Sequence, residues 1–186
     1  MKYSHRPQAF ALRRHMVRAV WTALPWLATA SLLMMSALAG LPPFVAQGAA
    51  AASLMAGAYY VAMQPSRLSI FACASLGLLQ DVLTFVPLGA SAAGWIALYL
   101  TISAIRVRLA PEGFFMHWML AACGLCVLLG VQGLTVALFN GGRIAWNGLG
   151  TLWLLGVLFY PMLHEALHGL DRAYWRRWWP LLRAAQ

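Results

Sequence analysis

Six apolar stretches, separated by short runs of turn-forming or basic residues, take up most of this 186-residue chain. They run from Val20 to Gly40, Val45 to Met63, Leu68 to Val86, Leu88 to Ile105, Phe114 to Phe139 and Gly148 to Leu167. A membrane-spanning helix needs about 20 predominantly apolar residues, and each stretch is of that order. Between them lie Leu41-Pro42-Pro43-Phe44, Gln64-Pro65-Ser66-Arg67, Pro87-Leu88-Gly89, Arg106-Val107-Arg108 with Pro111-Glu112-Gly113, and Asn140-Gly141-Gly142. The fold expected is all-α: a polytopic bundle of six transmembrane helices over 20–168, with a basic arm at 1–19 and a basic, Trp-rich tail at 169–186. A soluble globule is excluded, because only 9% of residues are charged where soluble domains carry about 25%. Disordered chains are apolar-poor, and this one is 62% hydrophobic. Three cysteines are too few for a disulfide scaffold.

The net charge of +9 would suggest a nucleic-acid partner in a soluble protein. Here its distribution gives it another meaning. Six spans put both termini on one side. That side collects twelve of the thirteen Lys and Arg: Lys2, Arg6, Arg13, Arg14, Arg18, Arg67, Arg106, Arg108, Arg172, Arg176, Arg177 and Arg183. Arg143 alone falls opposite. Cytoplasmic loops carry the Lys/Arg excess, so both termini are expected in the cytoplasm and no nucleic-acid partner is expected. Ala37-Leu38-Ala39 resembles a signal-peptide cleavage site, but the apolar stretch before it exceeds the roughly 7–15 residues of a signal core. An uncleaved first span is expected.

Asp81 is the outstanding polar residue. Counted from Leu68 it lies thirteen residues into the third stretch, or about 20 Å into a hydrocarbon core of about 30 Å. An intramembrane acid must face the bundle interior or a cavity. Two roles are open to it: contact with an ion, solute or partner, or a buried structural acid served by Gln80, a Ser or Thr, or freed backbone near Pro87.

His164-Glu165-Ala166-Leu167-His168 is a literal H-E-x-x-H. On a helix its histidines share a face and could hold zinc while Glu165 activates water. Catalytic zinc takes three protein ligands, however, and the only acid downstream is Asp171, on the same helical face. Glu112 and His117 could approach from the fifth stretch. Polar residues gathered at a helix C-terminus near the headgroups account for the motif better than a metal site does. Cys123-Gly124-Leu125-Cys126 matches C-x-x-C but has no charged neighbour to activate a thiol, and reads as two small apolar residues. The tail, Asp171 to Trp179, interleaves Arg with aromatics and reads as an interfacial anchor on anionic lipid. Ala90-x-x-x-Gly94 and Ala52-x-x-x-Ala56 permit close helix approach, within the bundle or between copies.

The segments Tyr59 to Arg67, Gly77-Leu78-Leu79-Gln80-Asp81-Val82-Leu83 and Pro87-Leu88-Gly89 resemble the rod shape-determining protein MreD family. That family shows an aromatic-rich second span ending in Pro-x-Arg, a Gly-Leu-Leu-x-Asp segment and a following Leu-Gly turn. The resemblance covers about 42–108. Tyr60 stands where the family often has Trp, and Leu41 to Gln47 lacks the charged sequence usual in the first loop. The resemblance implies a non-enzymatic, multi-pass subunit of the bacterial inner (cytoplasmic) membrane, without cofactors. It further implies binding to MreC, and through it to the actin-like MreB and the polymerase–transpeptidase pair that builds the cylindrical wall. Pro65, Arg67, Gly77, Gln80, Asp81, Leu88 and Gly89 would be the family's partner-binding or structural residues. Two other expectations stand beside it. One is a small-solute-binding membrane subunit of a transporter, with a pocket near Asp81. The other is a membrane zinc protease using His164, Glu165 and His168.

Overall fold

The computed structural model describes residues 22–38, 41–109, 113–139, 141–142 and 146–183, with side chains through Arg172 except that of Leu109. Six helices fill these ranges: α1 (Thr22–Ser36), α2 (Pro43–Met63), α3 (Ile70–Thr84), α4 (Ala90–Leu109), α5 (Phe114–Phe139) and α6 (Trp146–Arg183). Each described helix falls on one of the apolar stretches. Four of them, α2, α4, α5 and α6 as far as Arg172, are long and apolar enough to cross a membrane. The described part of α1 and the whole of α3 are 15 residues each, about 22 Å at 1.5 Å per residue. The third stretch is therefore shorter than its hydropathy suggests, because Ser69 caps one end and a turn at Phe85 closes the other.

The ends of the helices have clear local causes. Pro42 and Pro43 start α2, where a missing N–H costs nothing. Pro65 stops it, since the residue before a proline is pushed out of helical conformation; Gln64 sits at φ −141°, ψ 63°. The Ser69 hydroxyl then accepts the Ala72 N–H and begins α3.

Helix α2 is the centre of the bundle. Every residue from Ser53 to Ala62 is buried, around the full circumference of the helix. A helix apolar on all sides belongs in a core, and α2 packs against α4, α5 and α6. Helix α4 lies between α3 and α5. In α1, the Trp26 indole donates to Ser75 Oγ of α3 at 2.9 Å. Most of the surface of α6 faces outward.

Within α6, Pro161 has no N–H with which to bond the carbonyl of Val157 one turn back. The Trp118 indole of α5 donates to that freed oxygen at 3.1 Å. In return, the Trp153 indole donates to the Ala122 carbonyl of α5 at 3.1 Å. In a bilayer such freed groups must find protein partners. Trp118→Phe is expected to lower stability in detergent by about 1 kcal/mol, read as a fall in unfolding midpoint. A null effect would mean Val157 finds another donor.

Helix α6 runs on past the sixth apolar stretch and continues as helix to Arg183. The side chains of Trp175, Arg176, Arg177, Trp178, Trp179 and Arg183 lie outside the described set.

Candidate functional site

The seven residues carrying the family resemblance gather in two places, at opposite ends of α3. One holds Gly77, Gln80, Asp81, Leu88 and Gly89; the other holds Pro65 and Arg67.

Asp81 lies in the last turn of α3, which starts at Ile70 and ends at Thr84. Asp81 is 1% exposed, with its carboxylate turned toward the first turn of α4. Asp81 Oδ2 accepts the Gly89 N–H at 2.7 Å, and Oδ1 accepts the Ser91 N–H at 2.8 Å. The first amides of a helix have no partner within it, and they attract negative charge. The carbonyl of Asp81 meanwhile accepts the N–H groups of Phe85 and Val86 and closes α3. One residue thus ends one helix and begins the next. Phe85 takes up a left-handed conformation (φ 53°) to make this closure, and Gly89 (φ 98°) supplies the second bend. Of the two roles open to Asp81, the geometry has it serving freed backbone near Pro87.

Two neighbouring residues lock this hairpin. At Gly77, an added Cβ would strike the backbone of Ser91 and Ala92, so α3 and α4 touch main chain to main chain. Gln80 Oε1 accepts the Trp95 indole N–H at 2.9 Å. The ring of Trp95 lies against α2 where Gly57 leaves room for it. Gly94 lets the Leu128 carbonyl of α5 approach, so this small-residue position serves packing inside the bundle. Trp95 and Gly57 carry no motif, and sequence reasoning missed them. A lone Trp inside an apolar stretch gives no signal of its own.

At the other end of α3, the loop after α2 is fastened to α6. Gln64 Nε2 donates to Asp171 Oδ2 at 2.8 Å, and Arg67 Nη1 lies 3.5 Å from Asp171 Oδ1. Their side chains are 11% (Arg67) and 8% (Asp171) exposed. Burial pulls the Arg67 guanidinium below its usual range, and Asp171 works against that shift. Asp171, weighed from sequence as a third metal ligand and as the first residue of the interfacial tail, forms a clasp between α6 and the α2–α3 loop. Asp171→Ala is expected to cost about 2 kcal/mol of stability, since it removes the buried acceptor of the Gln64 amide and the acid beside the Arg67 guanidinium. The check is a thermal melt beside Arg67→Ala/Asp171→Ala. If the pair is coupled, the double variant loses less than the sum of the singles.

The H-E-x-x-H residues sit near this clasp. The His164 ring meets Phe114 edge-on at 5.1 Å and Tyr59 edge-on at 5.4 Å between centroids, with Tyr160 tilted at 5.7 Å. His168 stacks on it at 5.8 Å. Glu165 is exposed, and His117 Nδ1 lies 2.8 Å from the carbonyl of Gly113. Glu112 lies outside the described residues. Among the described residues no three His, Cys, Asp or Glu side chains come together. An aromatic box around His164 is what α2, α5 and α6 assemble here. Cys123 and Cys126 are free thiols on the exposed face of α5.

No family model, curated protein or solved structure matches this chain.

Proposed function

We propose that this protein is a non-enzymatic subunit of the bacterial cell-elongation complex. In this reading it crosses the cytoplasmic membrane six times, with both termini in the cytoplasm. It binds MreC and, through it, links to MreB and the wall polymerase–transpeptidase pair. The observation that carries the reading is the use made of Asp81. Its carboxylate is consumed by the amides of Gly89 and Ser91, and the residues of the family-like segments around it are used to join helices. That is how a rigid scaffold spends an intramembrane acid. The solute-binding reading needs a free carboxylate edge on a cavity, and the protease reading needs a third ligand beside His164 and His168.

The sidedness fits the same reading. Arg67, Arg106 and Arg108 lie at the end of the bundle where α2 and α4 finish, and Arg-rich ends face the cytoplasm. The test is crosslinked affinity purification from the native membrane, with mass spectrometry of what is recovered. Recovery of MreC and the synthase pair is the expected result. An ATPase transport module in their place, or no partner, would overturn it.

A further inference from the structure

The turn joining α3 to α4 is apolar from end to end: Phe85-Val86-Pro87-Leu88-Gly89. Phe85 is 96% exposed and Leu88 74% exposed. A turn in water is ordinarily built from polar residues whose backbone the solvent can reach. This one has little need of solvent. From Phe85 to Ser91 six residues carry an amide N–H, and five of these are bonded within the protein, four of them to Asp81. The fifth, Ala90, donates to the carbonyl of Pro87, and Pro87 has no N–H. The Leu88 amide alone has no partner among the described residues.

Helix lengths place the turn lower than its neighbours. From Arg106 back to Ala90 is sixteen residues of α4, about 24 Å of rise. A bilayer core measures about 30 Å. Where Gly94 of α4 meets Leu128 of the antiparallel α5, four residues of α4 remain to Ala90 and eleven of α5 to Phe139, so α5 outreaches the turn by about 10 Å.

We infer that the α3–α4 turn is immersed in the bilayer, with Phe85 and Leu88 packed against lipid acyl chains and Asp81 doing for the backbone what water does for an ordinary loop. Non-helical backbone survives at membrane depth where its polar groups find protein partners, and Asp81 supplies the acceptors for four of this turn's amides. This inference needs a bilayer around the bundle but does not rest on the choice of partner.

The test uses the full-length protein in membranes, with Cys73, Cys123 and Cys126 changed to Ala. Leu88→Cys and Phe85→Cys report on the turn. Asn147→Cys, exposed at the start of α6, reports on the aqueous surface at the same end. A membrane-impermeant maleimide should label the two turn variants at least about tenfold more slowly than Asn147→Cys, because only the thiolate reacts and hydrocarbon suppresses it. A permeant fluorophore on the turn variants should be quenched by lipids bearing a nitroxide on the acyl chain. Labelling as fast as Asn147→Cys would overturn the inference. So would slow labelling without lipid quenching, which would mean that another protein surface, or a second copy, covers the turn.

Discussion

Asp81→Ala is expected to cost this protein about 3 kcal/mol or more of stability, although it removes a charge from an apolar helix. The amides of Gly89 and Ser91 would lose their acceptor in a buried place, and each stranded donor costs about 1–3 kcal/mol. Asp81→Asn keeps one acceptor oxygen but turns an NH2 toward the other amide, so an intermediate loss is expected. Insertion should move the other way. Removing an acid from an apolar helix favours its entry, by up to about 2.5–3.5 kcal/mol at a helix centre and less in a last turn such as this one. The two readouts therefore diverge: membrane-integrated yield holds or rises while the unfolding midpoint in detergent falls. A variant that inserts and melts like the parent would show that the cap contributes nothing.

Gly57→Ala is expected to be nearly as damaging, against the direction that helix propensity gives. In an exposed helix this change would stabilise by about 0.8–1 kcal/mol. Here the new methyl would run into the six-membered ring of Trp95. The ring has little freedom to move aside, because its indole N–H is held by Gln80 and its helix is pressed on α5 at Gly94. Overpacking of a tight contact costs about 1–3 kcal/mol, and this contact belongs at the upper end. Trp95→Phe should relieve it. The double variant Gly57→Ala/Trp95→Phe is expected to be more stable than Gly57→Ala alone, and the thermodynamic cycle measures the coupling. Purely additive losses would mean that the two residues do not touch.

What was legible in the sequence was the set of helices. The apolar stretches mark all six, because hydropathy over about 20 residues depends on local composition alone. The end of α2 was legible too, since Pro65 acts on its immediate neighbours. Asp81 was recognised as exceptional, but its role turns on where α3 stops. That depends on Phe85 accepting a left-handed conformation, which nothing in its residue type announces. Asp171 shows the opposite limit. Its spacing from His164 and His168 placed it correctly on α6, yet its partners Gln64 and Arg67 lie more than a hundred positions away. The aromatic box around His164 draws on three helices for the same reason. Spacing reveals which residues share a helix face, and packing between helices decides what that face meets.

The capping of two helices by one side chain also constrains the order of assembly. Asp81 leaves the ribosome before its acceptor role can be filled, because Gly89 and Ser91 follow it by eight and ten residues. While α3 is alone, its last turn carries an acid with no donor to meet it, and a lone acid resists entry into hydrocarbon. Once the first turn of α4 is made, the same acid accepts that turn's amides and the obstacle is lowered. Helices α3 and α4 are therefore suited to enter the bilayer together as a preformed hairpin, with residue 81 as the latch that makes the pair admissible.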